Sequence, residues 1–175
     1  MTDSTILPHA LPDALEGRDS VRILSLDCFD TLLWRDCHAP HDLFRLLPGV
    51  TQQQRIWAEQ HARRSTVLRH GRNEAKIAEI YAQLFPNADD EARAAAVQAE
   101  LDLEARHCFA FAPTVELMRR AKAAGKTVVI VSDTYLSARQ LRALIAASAG
   151  EDVAALIDRI FSSSDQGKSK GEGLL

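Results

Sequence analysis

Residues 23–33 read ILSLDCFDTLL, a short and mainly aliphatic run that ends at Asp27. Two later stretches have the same form, and they read VVIVSD at 128–133 and IFSSSD at 160–165. Short aliphatic and β-branched runs that end in polar clusters are typical of buried parallel strands, and stretches with helical spacing separate these three. We therefore predict an α/β fold with a Rossmann-like parallel sheet, whose functional site lies outside the carboxyl ends of the strands.

The composition is that of an ordinary globular protein. The chain has 175 residues, of which 46% are hydrophobic and 26% are charged, and its net charge is −3. These values argue against a disordered chain, and a negative charge gives no general attraction to nucleic acid or to an anionic membrane. No apolar run approaches the ~20 residues of a membrane-spanning helix. We therefore expect no nucleic-acid partner and no membrane partner.

The cysteines and the first residues indicate the compartment. Cys28, Cys37 and Cys108 are an odd number without a paired CxxC spacing, which argues against a disulfide framework and against a zinc site. Residues 1–17 lack the basic start and the apolar stretch of a secretory signal, so we interpret them as a flexible tail. We predict a cytoplasmic protein.

The pattern changes between the first and the second predicted strand, where helical stretches follow one another. They lie at about 41–47, 51–70, 73–85 and 89–108. Their apolar stripes favour mutual packing as a small helical bundle. We therefore predict an α/β core at 18–36 and 113–175, with a helical insertion at 37–112.

Asp27, Ser132 and Lys170 follow three successive predicted strands. A carboxylate at the mouth of a sheet can attack phosphorus or carbon and form a covalent aspartyl intermediate, provided that neighbouring groups neutralise the charge of the substrate. Alone, each residue has an ordinary explanation: a turn-capping Asp, a helix-capping Ser and a solvated Lys. Because parallel strands end at one edge of a sheet, we predict that the three side chains converge on one anion-handling pocket.

Four further residues are candidates for substrate binding. Thr31 follows Asp27 by four residues, and Asp133 and Thr134 open the loop after the second strand, where backbone N–H groups can hold oxyanions. Lys168 lies with Lys170 among glycines, and either lysine is able to supply a fixed positive charge.

The combination resembles the haloacid dehalogenase superfamily of aspartate-nucleophile hydrolases. By that resemblance Asp27 is the nucleophile, Ser132 the hydroxyl of the second motif and Lys170 the lysine of the third. Lys170 is preferred to Lys168 because the leucines at 174–175 then fall where the family starts its next helix. The DxFDTLL and SDxYL motifs look like those of a bacterial subgroup.

The resemblance also implies the role of the helical insertion. It takes the place of the family's type-one cap, which closes over the substrate and excludes water. Trp34 and Arg35 then fall at the expected hinge into this cap. The stretch from Arg55 to Lys76 contains six Lys or Arg residues and only two Glu, and such an excess of charge is ordinarily a solvated surface. The alternative interpretation is that four arginines of this stretch attract an anionic substrate; these are Arg63, Arg64, Arg69 and Arg72.

The first motif departs from the phosphatases of the family at one position. These enzymes place a second Asp two residues after the nucleophile, where it protonates the leaving oxygen. Here that position is Phe29, and the acid follows at Asp30. A shift of one residue turns a side chain toward another face, so Asp30 either replaces the missing acid or braces the loop. Dehalogenases of the superfamily have an aromatic residue at this position and work without a metal.

The second departure concerns magnesium. The resemblance implies Mg²⁺ held by Asp27 and by the backbone carbonyl of Phe29, but the sequence stops at Leu175, before the acidic fourth motif. We therefore expect a fragment with an exposed sheet edge, which is able to pair with another copy.

Three functions follow from the resemblance. The first is a Mg²⁺-dependent phosphatase that acts on a phosphorylated small molecule. The second is a metal-independent hydrolase of the 2-haloacid dehalogenase type. The third is a catalytically inactive module that binds a phosphorylated ligand or a partner protein.

Overall fold

The computed structural model of the chain describes residues 5–174. Within them lie five strands: β1 (Ile23–Leu26), β2 (Leu33–Arg35), β3 (Cys108–Ala110), β4 (Thr127–Ser132) and β5 (Arg159–Ser162). The same residues form seven α-helices: α1 (Gln52–His70), α2 (Ile77–Leu84), α3 (Asp90–His107), α4 (Ala112–Ala123), α5 (Ala138–Ala149), α6 (Glu151–Ala155) and α7 (Ser163–Gln166). Shorter 3-10 helices lie at Pro8–Asp13, Pro40–Leu46 and Lys170–Glu172.

Strands β1, β4 and β5 form a parallel sheet in the order β1–β4–β5. Leu26 of β1 aligns with Ile130 of β4, and Ser132 at the end of β4 aligns with Ser162. Strand β4 is buried along almost its whole length, as a central parallel strand must be when both faces of its sheet are covered. The predicted α/β fold with a parallel sheet is confirmed.

One face of β4 packs on helices α4 and α5. Val128 and Ile130 are fully buried there against Met118 of α4 and Ile145 of α5. Each such side chain contributes about 1.5–3 kcal/mol of hydrophobic stabilisation. Helix α5 begins after Ser137, whose hydroxyl oxygen accepts the Gln140 N–H at 3.3 Å. This packing fixes the carboxyl end of β4, and with it the loop that follows.

Strand β1 is an edge of the described sheet. Its residues alternate between exposed and half-buried, and Ile23 is 56% exposed. The expected edge therefore exists among these strands, and its pairing with another copy stays a prediction. In the part of the chain that the structure describes, no helix is both long and apolar enough to cross a membrane.

A two-stranded antiparallel ribbon connects the sheet to the helical segment. Leu33 of β2 pairs with Ala110 of β3, and Arg35 pairs with Cys108. The sequence analysis found no strand in this region and extended the last helix to Cys108, which is wrong. The ring of Trp34 stacks on Phe111 at 4.6 Å between centroids, so tertiary packing across the ribbon outweighs the helical spacing of the sequence.

The other helices of the insertion are present with different limits. Helix α1 begins after Thr51, which accepts the Gln54 N–H at 3.2 Å. Helix α2 begins at Ile77, four residues later than predicted, because Glu74 turns inward to accept a hydrogen bond from Arg63 at 2.9 Å. The stretch predicted as a helix at 41–47 is a 3-10 helix, Pro40–Leu46.

The basic stretch from Arg55 to Lys76 is not simply a solvated face. The side chain of Arg55 is fully buried and makes two hydrogen bonds to Glu100, at 2.7 and 2.8 Å. Arg63 pairs with Glu59 and Glu74, and Arg72 pairs with Glu79. These ion pairs occupy two of the four arginines that were considered for attracting an anionic substrate; the structure gives no such role to Arg64 or Arg69.

The N-terminal segment differs from the predicted tail of residues 1–17. Residues 1–4 lie outside the described range, but Pro8–Asp13 forms a 3-10 helix that packs on α4. Asp13 forms an ion pair with Arg120 of α4. The segment was interpreted as a tail because it lacks the features of a secretory signal, yet Leu15 packs against the main core.

Asp158 gives a prediction on pH dependence. It accepts hydrogen bonds from Lys122 Nζ at 2.7 and 2.9 Å and from the Val128 N–H at 2.8 Å, and these bonds lower its pKa. A lowered pKa stabilises the fold above the unfolded-state value of about 3.9, and the contribution is lost as the pH falls through the folded-state value. In urea unfolding, Asp158→Asn should therefore be less stable than the wild type at neutral pH, with the difference vanishing in acid. A constant difference across this range would contradict the assignment.

Candidate active site

Asp27 lies directly after β1, where the chain leaves the sheet. Its side chain is 40% exposed, and the two carboxylate oxygens have different partners. Oδ1 accepts the N–H of Cys28 at 2.7 Å, and Oδ2 accepts a hydrogen bond from Lys170 Nζ at 2.5 Å. The carboxylate is thus held in place with its charge balanced, and it is still accessible to solvent.

Lys170 reaches Asp27 from the loop after β5. The chain leaves α7 through Gly167, whose φ of 71° suits glycine and where a Cβ would lie 3.3 Å from the side chain of Arg72. The N–H of Lys170 donates to Asp133 Oδ1 at 2.9 Å. The lysine is therefore fixed at both ends, by the loop after β4 through its backbone and by Asp27 through its ammonium group.

The loops after β4 and β5 are joined to each other. The N–H of Thr134 donates to Ser163 Oγ at 2.9 Å, and Ser163 Oγ in turn donates to the Thr134 carbonyl at 3.3 Å. Ser162 Oγ donates to the Leu136 carbonyl at 2.5 Å. These buried bonds hold the position of Asp133, and through it that of Lys170.

Ser132 lies at the end of β4, on the strand next to Asp27, and is 1% exposed. Within residues 5–174 its side chain makes no hydrogen bond to Asp27 or Lys170. Continuing the register brings Asp27 level with Val131, so Ser132 stands one residue further along. Of the three predicted catalytic residues, the structure brings Asp27 and Lys170 into contact and leaves Ser132 buried beside them.

The turn after Asp27 explains the positions of Phe29 and Asp30. The carbonyl of Cys28 accepts the N–H groups of Leu32 and Leu33, at 2.9 and 2.8 Å, which closes a tight loop. Asp30 takes a φ of 56° within it, a left-handed conformation that Asp tolerates better than most residues. The Phe29 ring lies under the guanidinium of Arg35 at 4.1 Å. An aromatic ring, and not a carboxylate, therefore occupies the position two residues after Asp27.

The other predicted substrate-binding residues have weaker support. The carbonyl of Thr31 accepts the hydroxyl of Thr114 at 2.8 Å, which anchors the loop to α4. Lys168 is exposed, and within the described range its side chain makes no hydrogen bond. Lys170 and not Lys168 thus makes the contact with Asp27.

Two cavities adjoin these loops. One, of about 320 Å³, is lined by Asp27 and Lys170 together with Val131 and Leu174. The other, of about 240 Å³, opens between the loops after β1 and β4 and the helical insertion, and we call it the cleft. A larger groove of about 920 Å³ lies away from the strand ends, between α2, α3 and α5.

The sequence analysis singled out half of the residues that line the cleft and missed the other half. The missed residues include Phe44, Glu59 and Glu104 from the insertion and Tyr135 from the loop after β4. None of them lies next to a motif except Tyr135, in SDTYL, which was the one available signal. The N–H of Ile77 donates to the Tyr135 carbonyl at 2.9 Å, so the insertion also contacts this loop directly.

Cys28, in the same loop, does not compete with Asp27 as a nucleophile, because burial raises the pKa of its thiol to about 12. Cys28 is fully buried, so its sulfur stays a thiol at neutral pH and packs in the main core.

The magnesium ligands predicted from the resemblance are the Asp27 carboxylate and the Phe29 carbonyl. Mg²⁺ prefers about six oxygen ligands in octahedral geometry. Residues 5–174 contain no group of three or more His, Cys, Asp or Glu side chains placed to hold a metal ion. Both oxygens of Asp27 already accept hydrogen bonds. The Asp27 carboxylate and the Phe29 carbonyl alone therefore do not complete a magnesium site.

Comparison with known proteins adds no assignment. No family model matches the sequence, and no curated protein matches it significantly. Any functional assignment therefore depends on the geometry described above and on the motifs.

Proposed function

We propose that this protein is a hydrolase of the haloacid dehalogenase type, with Asp27 as the nucleophile and a phosphorylated small molecule as the substrate. The observation that carries the proposal is the 2.5 Å contact between Asp27 Oδ2 and Lys170 Nζ at the carboxyl ends of parallel strands. The two residues are 143 positions apart in the chain. A half-exposed pair of this kind adds only about 0–1 kcal/mol of stability.

The reaction begins with attack of an Asp27 carboxylate oxygen on phosphorus. The bond from phosphorus to the leaving oxygen breaks, the leaving oxygen takes a proton from water, and an aspartyl phosphate forms. A second water then attacks phosphorus, which releases phosphate and restores the carboxylate. No step requires a residue that lies far from the loops after β1, β4 and β5.

Lys170 has two functions in this scheme. Its ammonium group balances the charge of Asp27 before the substrate binds, and it faces the phosphoryl oxygens when the substrate is present. A fixed positive charge at the place where negative charge approaches the carboxylate lowers the barrier to attack. Asp133 positions Lys170 by accepting the backbone N–H of Lys170. The helical segment 37–112 acts as a cap over the α/β core, residues 18–36 and 113–175, and excludes water from the site.

Magnesium stays a prediction of the phosphatase hypothesis. The Asp27 carboxylate and the Phe29 carbonyl would contribute ligands, and further oxygens would have to complete the shell. When bound, the ion supplies additional positive charge for the phosphoryl group. The steps assigned above to Asp27 and Lys170 do not depend on it.

A dehalogenase-type hydrolase is the second candidate, and the Phe29 ring favours it. The ring occupies the position of the phosphatase acid and lies under Arg35. In this reaction Asp27 displaces halide from carbon and forms an ester, which water then hydrolyses. No leaving oxygen has to be protonated, so the missing acid has no consequence.

Chelation separates the two candidates. In EDTA, a phosphatase should lose phosphate release and recover it when Mg²⁺ is added, whereas a dehalogenase should continue to release chloride from 2-chloropropionate. The measurement is product release from a panel of phosphate monoesters and 2-haloacids, with and without the chelator. Absence of both products would overturn the hydrolase proposal. Tight calorimetric binding of a phosphate monoester in that case would favour a binding module.

A further inference from the structure

A short loop of the helical insertion contacts both loops that hold the proposed catalytic lysine. It connects α1 to α2 through residues 71–76, and we call it the α1–α2 loop. Its Asn73 donates a side-chain hydrogen bond to Glu172, in the loop after β5. Directly after it, the N–H of Ile77 donates to the carbonyl of Tyr135, in the loop after β4, at 2.9 Å. The insertion is therefore attached to the two loops that meet at the candidate active site.

Glu172 joins the α1–α2 loop to the short helix that carries Lys170. The 3-10 helix Lys170–Glu172 begins after Ser169, and Glu172 Oε2 accepts both the N–H and the hydroxyl of Ser169 at 3.0 Å. Glu172 Oε1 accepts the amide of Asn73. The hydrogen bonds from Ser169 and from Asn73 lower the pKa of Glu172, so its carboxylate is ionised at neutral pH. One side chain thus closes the turn that carries Lys170 and attaches this turn to the insertion.

Arg72, the neighbour of Asn73, contacts the start of the same turn. Its side chain packs against Gly167, where an added Cβ would lie 3.3 Å from the Arg72 Cβ. Arg72 is itself fixed within the insertion, because its guanidinium donates to Glu79 at 2.5 Å and to the Glu74 carbonyl at 3.1 Å. Two adjacent residues of the α1–α2 loop therefore contact both ends of the segment that contains the catalytic lysine.

The placement of this segment decides where the ammonium group of Lys170 lies. Lys170 Nζ is 2.5 Å from Asp27 Oδ2, and its side chain is 36% exposed, so packing around the side chain fixes it only in part. A lysine side chain is long and flexible, and its head group follows the position of its backbone. A displacement of about 1 Å of an oriented catalytic group is able to cost about 10²-fold in rate. Contacts that hold the backbone at 167–172 therefore bear on the reaction.

We propose that Asn73 is a positioning residue, which couples the insertion to the placement of Lys170 through Glu172. The inference rests on the proposed function, because it concerns the lysine to which that function assigns the phosphoryl group. It gives the insertion a second role beside the exclusion of water. While the α1–α2 loop contacts Glu172, the turn that carries Lys170 is held in the arrangement in which the ammonium group meets Asp27.

The kinetics of Asn73→Ala measure the effect on the reaction. The change removes the contact with the insertion and leaves the hydrogen bonds between Glu172 and Ser169 in place. We expect kcat for the best monoester of the panel to fall about tenfold and KM to change much less, because the displaced charge acts mainly on the transition state. Gln98→Ala is the matched control and should keep full activity, because Gln98 also donates a side-chain amide to a carboxylate, that of Asp102 at 2.8 Å on the surface of α3.

A reversed pair shows whether the contact between Asn73 and Glu172 causes the loss. Asn73→Asp places two carboxylates against each other and should lower kcat more than Asn73→Ala does. Asn73→Asp combined with Glu172→Gln exchanges the amide and the carboxylate, so the hydrogen bond forms in the opposite direction, and the Gln side chain still accepts the Ser169 N–H. Most of the activity should return. Glu172→Gln alone completes the double-mutant cycle, and purely additive losses would overturn the inference.

The amide signal of Lys170 reports the coupling without any substrate. The chain has five lysines, so labelling with 15N-lysine gives few backbone amide signals in an NMR spectrum, and Lys170→Arg identifies one of them by its loss. Because the N–H of Lys170 donates to Asp133 at 2.9 Å, Asn73→Ala should shift this signal, and the reversed pair should return it toward the wild-type position. The signal of Lys122, on α4, should stay in place. An unchanged Lys170 signal in Asn73→Ala would contradict the proposed coupling.

The two measurements separate this inference from the proposed function. If the Lys170 signal moves in Asn73→Ala but the wild type releases no product from any ester or haloacid under any metal condition, the coupling stands and the hydrolase proposal fails. If the wild type releases phosphate and Asn73→Ala changes neither kcat nor the Lys170 signal, the hydrolase proposal stands and the coupling fails.

Discussion

Replacing Asp27 with Asn should abolish phosphate release. The amide has the shape of the carboxylate but is not a nucleophile, so the aspartyl phosphate cannot form. Loss of the nucleophile from an enzyme with a covalent intermediate lowers kcat by several orders of magnitude, and we expect a decrease of at least about 10³-fold. The measurement is steady-state phosphate release from the best monoester of the panel.

The fold should tolerate this change. The side chains of Asp27 and Lys170 are 40% and 36% exposed, so the pair contributes about 0–1 kcal/mol and the midpoint of thermal unfolding should hardly move. Asp36→Asn, a change of the same chemistry away from Asp27, should keep full activity. Turnover by Asp27→Asn at the rate of the wild type would eliminate Asp27 as the nucleophile.

The second large effect concerns stability. Arg55 is fully buried and Glu100 is 2% exposed, and the Tyr81 hydroxyl donates to the same carboxylate at 2.8 Å. Burial alone lowers the pKa of Arg55, but the hydrogen bonds to Glu100 outweigh it and raise the pKa overall, so the guanidinium stays charged. Arg55→Met leaves Glu100 buried without its cation, and breaking such a pair costs about 3–5 kcal/mol. Urea unfolding should show a loss of this size.

Two further variants show whether the effect comes from an uncompensated buried charge. Arg55→Met combined with Glu100→Leu removes both charges and should recover much of the lost stability. Arg119→Met breaks the pair with Asp152, in which both side chains are more than half exposed, and should cost less than about 1 kcal/mol. A loss at Arg55 no larger than that at Arg119 would contradict the account.

The sheet was predictable because its strands have a strong local pattern. Strand β4 is buried on both faces, so its sequence is a continuous aliphatic run. The polar residue Ser132 at its end marks the carboxyl end of the strand. The carboxyl ends of neighbouring parallel strands lie close together. For this reason the sequence predicted that Asp27 and Lys170 are neighbours.

The rest depends on contacts that no local pattern carries. The ribbon of β2 and β3 joins residues about 75 positions apart and overrides a helical spacing at Cys108. Arg55 looked like part of a solvated basic stretch because its partner Glu100 lies 45 residues away. For the same reason the cleft walls that the insertion contributes, such as Phe44 and Glu104, were not predicted.

Acid quenching during turnover tests the central claim most directly. After the best monoester of the panel is mixed with the wild type, peptides of the quenched protein are mapped by mass spectrometry. The account predicts a gain of one phosphoryl group on the peptide that carries Asp27, and no such gain in Asp27→Asn. Phosphate release with the phosphoryl group on a different residue would contradict it.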